Sequence, residues 1–208
     1  MHKLCTTFYL LAATWIRYMN DAQLIKAFCE GDTGAFNALV DRWQHRIHRV
    51  AYRYFNSHDE AREITQKTFI RVYKKLKTLD DYNAFSAWIY RIANNLCLDE
   101  AKRAGRKKSA SMDEFDQAPI ANTISEHPDR PLQQKELEAI LQQALQQLPA
   151  EQRMVVIMKE YEGMKFREIA EVLHIPESTV KSRMYYGLRT LRGIFDQWNL
   201  KKESLYYE

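Results

Sequence analysis

The sequence is poor in the residues that interrupt helices. Six Gly and five Pro among 208 residues enforce few turns, and no stretch shows the apolar–polar alternation of a half-buried strand. Together these absences argue against a sheet. Three cysteines, Cys5, Cys29 and Cys97, lie too far apart for a zinc ligand pair, and an odd, sparse set is no disulfide framework. Cys29 and Cys97 read as small core residues, and the set suits a reducing cytoplasm. No apolar run reaches the roughly 18 residues of a membrane-spanning helix. The apolar segment 8–16 follows Lys3 as a weak signal-peptide pattern would, without a convincing small-residue cleavage site. Residues 1–18 are instead expected to be an N-terminal extension upstream of a start at Met19, and no membrane insertion is expected. Gly-rich phosphate loops, Ser/His/Asp arrangements and zinc motifs are also missing. The acidic clusters Asp80/Asp81 and Asp113/Glu114/Asp116 have no histidine beside them. A carboxylate- or metal-dependent enzyme is therefore a remote alternative, and neither a cofactor nor a small-molecule substrate is expected.

What is present is helical periodicity. Hydrophobic residues make up 46% and charged residues 28%, ordinary for a globular protein. Asn20 or Asp21 can cap a helix at 21–30. Asp32 or Thr33 can cap a second to Phe55, with Phe36, Val40, Trp43, Ile47, Val50 and Tyr54 on one face. A third, over 59–76 and capped by Ser57 or Asp59, carries the stripe Ala61, Ile64, Thr68, Phe69, Val72 and Leu76. A fourth, from Ala84 to about Arg103, directs Phe85, Trp88, Ile92, Leu96 and Leu98 inward. The pattern lapses over 105–131, which reads as a flexible linker. It returns with Leu137, Leu141, Ala144, Leu145 and Leu148, stops at Pro149, and resumes with Val155, Val156, Met158 and Tyr161 before a Gly163 C-cap. The expected fold is all-α: a helical domain at 19–104, a linker, a second helical domain at 132–198 and a tail at 199–208.

The second domain contains a helix-turn-helix over 165–192. Ala170 is small where two helices cross, and Ile169, Leu173, Ile175 and Val180 glue them together. Pro176 fits the turn, and Ser178 or Thr179 is placed to cap the second helix. His174 stands where Gly is common, so the first helix is expected to end less sharply. Opposite Val180 and Met184 lie Lys181, Ser182, Tyr185 and Arg189, types that contact base edges or phosphates. The duplex-DNA contacts are assigned to Ser178, Thr179, Lys181, Ser182, Arg183, Tyr185, Tyr186 and Arg189. A formal net charge of +4 is only mildly basic, but its cations gather in this helix and at 102–108.

The first domain mixes aromatics with amides over 80–95, followed by that basic run. Aromatics can stack on unpaired bases, amides can read base edges, and Lys/Arg can hold the backbone. Trp88 could equally anchor the core. Asn94 and Asn95 are poor mid-helix residues, which favours a contact role.

Three segments in order, 59–69 (DEAREITQKTF), 85–95 (FSAWIYRIANN) and the helix-turn-helix, resemble the extracytoplasmic-function (ECF) group of the sigma-70 family of bacterial RNA polymerase sigma factors. The resemblance spans about 20–196. It implies that the helix at 59–77 docks on the β′ clamp helices of core polymerase through Asp59, Glu63, Gln66, Arg71 and Lys74, and that a β-flap contact exists as well. It implies that the loop Asp81, Tyr82, Asn83 and Ala84, with Trp88, Arg91, Asn94, Asn95, Lys102 and Arg103, captures the opened −10 strand. It also implies an anti-sigma factor partner. The competing reading, a stand-alone helix-turn-helix regulator binding an operator as a dimer, leaves 59–95 without a role.

Overall fold

A computed structural model of the protein describes residues 18–110 and 130–198, with side chains over 18–106 and 136–198. The expectations for 1–17, Cys5, the 113–116 acidic cluster and the 199–208 tail lie outside the described residues. Eight α-helices and no strand occur among the described residues: α1 Asp21–Cys29, α2 Thr33–Phe55, α3 His58–Lys75, α4 Phe85–Ala110, α5 Arg130–Gln147, α6 Ala150–Val156, α7 Phe166–Leu173 and α8 Glu177–Gln197. Helix α6 runs on into a π-turn at Ile157–Tyr161.

The starts of the first helices follow from side-chain oxygens that satisfy orphan backbone donors. Asn20 and Gln23 bond reciprocally at α1, 2.8 and 2.9 Å. The Asp32 carboxylate accepts from the Gly34 amide at 2.8 Å, and Ser57 Oγ accepts from the Glu60 amide at 3.3 Å. Helix α2 ends where Asn56 takes the left-handed conformation, which its short polar side chain tolerates.

Helices α1–α4 form one group. All six stripe residues expected for α3 are buried. Thr68 is compatible with that interior because its hydroxyl donates to Ile64 O, 2.8 Å. On α2, Leu39, Ile47 and Val50 are enclosed, each worth roughly 1.5–3 kcal/mol relative to exposure. Asp21 ties α1 to α2, accepting from Arg42 at 2.6 Å and from Trp43 Nε1 at 3.1 Å.

Helix α4 departs from the expectation twice. It continues to Ala110, through the start of the expected linker, because Ala, Lys and Arg are good helix formers. Its buried set is also broader. Phe85 and Leu96 are buried, but so are Ile89, Tyr90, Ala93, Asn94 and Cys97, whereas Trp88, Ile92 and Leu98 are only half-buried. The reason is cover on two sides. Helices α2 and α3 pack on one flank, and α6 and α7 of the second group pack on the other.

In the second group α8 crosses α6 closely. A Cβ on Gly187 would meet Val156 Cγ2 at 3.1 Å, so a larger residue there would make Val156 give by a few tenths of an ångström. Tyr161, expected in this core, is exposed and lies beneath the Arg53 guanidinium, 4.0 Å from the ring centroid.

Candidate nucleic-acid interface and docking groove

Helices α7 and α8 build the helix-turn-helix. Ile169, Val172, Val180 and Met184 are buried between them and the rest of the group. His174 takes φ 54° and its amide bonds back to Ala170 O, so α7 ends sharply without glycine. The start of α8 differs from expectation. Pro176 is its N-cap, no side chain caps it, and Ser178 and Thr179 lie inside the first turn. Ser182 Oγ donates to Ser178 O at 2.9 Å, so both serines sit on one exposed ridge.

Lys181, Ser182, Tyr185, Tyr186 and Arg189 are exposed along α8. Lys181 pairs with Glu177 at 2.7 Å, a bond that a phosphate or base would have to replace. Arg183 lies at the edge, bonded to Glu151 of α6, and serves the packing of α8 in this conformation. Leu188, 48% exposed, belongs to the same outer surface. Residue-type reasoning missed it because a lone Leu on a helix reads as core.

The loop before α4 is a turn built by Asp81, whose carboxylate accepts from the Asn83 amide at 2.9 Å and from its side chain at 3.2 Å. This leaves Asn83 and Ala84 exposed and Tyr82 half-buried, with the Tyr82 hydroxyl pushed up by its hydrogen bond to Cys29. Trp88 is half-buried against Phe85. Asn95, Lys102 and Arg103 are exposed, and Arg103 pairs with Glu100 at 2.7 Å. The two amides separate. Asn95 faces out, while Asn94 is 5% exposed, donates from Nδ2 to Asn95 Oδ1 at 3.4 Å and has an Oδ1 without a partner, so Asn94 offers no solvent-accessible edge in this conformation. Arg91 is turned to the second group, donating to Glu171 O at 2.8 Å and to Val172 O at 3.3 Å.

On α3, Asp59, Glu63, Gln66, Arg71 and Lys74 are all exposed. By helical spacing Asp59, Glu63, Gln66 and Lys74 lie along one outward stripe, and Arg71 stands further round. Glu63 pairs with Lys67 at 2.5 Å, and Lys67 also approaches Glu100 of α4 at 3.7 Å. Asp59 pairs with Arg62 at 3.2 Å. Gln66 and Lys74 edge a groove of about 880 Å³ between α2 and α3. Its apolar floor is Phe36, Val40, Phe69, Ile70 and Tyr73, and its rim carries His45, His48 and Arg62. Ile70 and Tyr73 remain 47% and 53% exposed, an apolar stretch ready for a partner. The stripe reading missed this groove, since Phe36 and Val40 follow the core periodicity of α2.

Among the described residues no group of three or more His, Cys, Asp or Glu could hold a metal ion, and no helix is long and apolar enough to cross a membrane.

Comparison with known proteins agrees with both halves. Residues 39–107 match the model for Sigma-70 region 2, and residues 138–191 match that for Sigma-70, region 4. The chain is 34% identical over 170 residues to RNA polymerase sigma-H factor of Pseudomonas aeruginosa, covering 79% of this chain and 88% of that protein. It is 34% identical over 179 residues to ECF RNA polymerase sigma factor SigW of Bacillus subtilis, covering 81% and 92%. The fold is similar to that of CnrH in complex with the cytosolic domain of CnrY, with TM-score 0.62, 22% identity and coverage of 85% and 97%. The chain, with its region 2 face on α2–α4 and its region 4 helix-turn-helix on α7–α8, belongs to the ECF group of sigma-70 RNA polymerase sigma factors.

Proposed function

We propose that this sigma factor works in the cytoplasm as a two-site promoter reader carried by core polymerase. Helix α8 reads the −35 duplex in the major groove through Ser178, Lys181, Ser182, Tyr185, Tyr186 and Arg189. The Asp81–Ala84 turn, with Trp88 and Asn95, holds bases of the opened −10 strand, while Lys102 and Arg103 hold its backbone. The β′ clamp helices dock in the α2–α3 groove, with Gln66 and Lys74 at its edge. The observation that carries this reading is the pairing, in one chain, of an exposed helix-turn-helix face with an unfilled apolar groove on a separate helical group. A dimeric operator binder needs only the first.

Base extrusion costs a few kcal/mol per base, and a domain this small has few contacts with which to offset it. Polymerase supplies the remainder, so the free protein binds promoters poorly. The role is initiation without catalysis by the sigma factor itself. The family likeness adds an anti-sigma factor that competes for the same surfaces. The test is transcription by purified core polymerase with this protein on a genomic fragment library, with start sites mapped. A shared pair of elements upstream of new starts is expected. Start sites unchanged from those of core alone would refute it.

A further inference from the structure

The groove between α2 and α3 has a rim of one sign. Its lining includes His45 and His48 from α2 and Arg62 and Lys74 from α3, but no Asp or Glu. A partner that seats on the apolar floor also removes water from these basic groups. Without anions opposite them, that desolvation opposes docking. The surface therefore selects an occupant that carries apolar anchors and carboxylates together, an acidic amphipathic segment.

The imidazoles are placed to respond to such an occupant. The His48 ring stacks on His58 of α3 with centroids 5.9 Å apart, and His58 stacks in turn on Tyr52 at 4.3 Å. Burial, then the nearby His58, Arg62 and His45, hold the His48 pKa below its usual value. Near pH 7 the ring is therefore mostly neutral in the free protein. The carboxylates of the two helices are engaged elsewhere or stand outside the groove. Asp59 pairs with Arg62 at 3.2 Å, and Glu63 pairs with Lys67 at 2.5 Å. Glu60 lies near Glu100 of α4. Asp41 stands one turn before His45 on α2, outside the groove lining. Arg46 and Arg49 lie on the Tyr90 side of α2.

We propose that the polymerase segment docking in this groove sets a carboxylate against His48, and that docking takes up a proton there. The inference rests on the docking reading above and adds its chemistry and its regulation. A carboxylate within about 4–6 Å favours the imidazolium, and the departing water no longer screens the pair. The pKa of His48 is then higher in the complex than in the free protein. The added affinity is fully present below the free value and is lost as pH rises through the bound value.

The test titrates core polymerase with full-length protein by fluorescence, at about pH 8 and about pH 6.5 and one ionic strength. Wild type, His48→Gln and Tyr73→Ala are compared, with the folding of each checked by circular dichroism at both pH values. Core polymerase has titrating groups of its own, so the result is the difference between wild type and His48→Gln. On going to the lower pH, wild type is expected to gain about 3- to 10-fold more affinity than His48→Gln. Calorimetry of wild type in two buffers of different ionisation heat gives a second reading that needs no variant, and net proton uptake near pH 7 is expected. Equal pH dependence in the two proteins, a larger gain for the variant, or net proton release would each overturn the proposal. Tyr73→Ala separates the proposal from the reading beneath it. If that variant binds core as well as wild type does, the docking surface lies elsewhere and the docking reading fails. If it binds core weakly while the His48 difference is absent, docking in the groove stands and proton uptake fails.

Discussion

The first helical group has two outward faces with opposite fates. The α2–α3 face leaves Ile70 and Tyr73 open above an apolar floor. The α4 face is covered by α6 and α7, with Tyr90, Ala93 and Asn94 buried. The difference lies in what meets each face. Cations and imidazoles rim the open groove and keep it hydrated, whereas the α4 face meets helix ends whose carbonyls need donors. An apolar surface left open beside one already satisfied is where an outside partner gains most. The covered face becomes available only after an internal contact is given up.

Substitutions can break or sharpen this contrast. The largest effect is expected for Arg153→Ala, where the second group meets the end of α2. Burial lowers the Arg153 pKa, and its guanidinium donates to Tyr54 O, Gln146 Oε1, Gln146 O and Leu148 O. Removing it strands those acceptors, and a loss of about 3 kcal/mol is expected in denaturant unfolding, given roughly 1–3 kcal/mol per stranded buried group and partial rescue by water. Tyr73→Ala on the open side should do the reverse. Stability should change by less than about 1 kcal/mol, while core polymerase affinity should drop by about 2 kcal/mol if Tyr73 is a docking anchor. Co-purification and a fluorescence titration with core would measure it, and unchanged affinity would move the docking surface elsewhere.

Lys181→Ala tests α8. Its pairing with Glu177 must be exchanged for DNA, so a loss of −35 recognition near the low end of about 1–3 kcal/mol is expected, read as transcription from wild-type and −35-substituted promoters. The smallest effect belongs to the groove rim. Partial burial, with His58, Arg62 and His45 nearby, holds the His48 pKa below its usual value. A lowered imidazole pKa contributes stability that is present above about 6.5 and lost as pH falls through the folded value. Unfolding midpoints should therefore decline slightly from pH 7 to 5.5, by under about 0.5 kcal/mol after solvent screening. His48→Gln should flatten that decline.

The core stripe of helix α3 was legible in the sequence, because that side meets one core, whereas Ile70 and Tyr73 on its outer side were not. Helix α4 was not. Its periodicity predicted Phe85, Trp88, Ile92, Leu96 and Leu98; Phe85 and Leu96 are buried, but the other three are half-buried, and burial also takes in Ile89, Tyr90, Ala93, Asn94 and Cys97. A stripe records one packing surface, and α4 has two. The aromatic and amide content of 80–95 did mark a special helix, but could not show that Asn94 and Asn95 face different ways. The helix-turn-helix was legible from Ala170, Pro176 and Val180. The Ser178 cap was not, since Pro176 took that position and left the serine on the outer ridge.

One property of the α2 and α7 ends, where the two groups bond to each other, bears on how such a protein can change over evolutionary time. Their acceptors are main-chain carbonyls, which no ordinary codon change removes. Variation can act only on the donors at positions 91, 142, 146 and 153. A lineage can therefore retune how firmly the two groups hold together, one side chain at a time, without matched changes on the opposite surface.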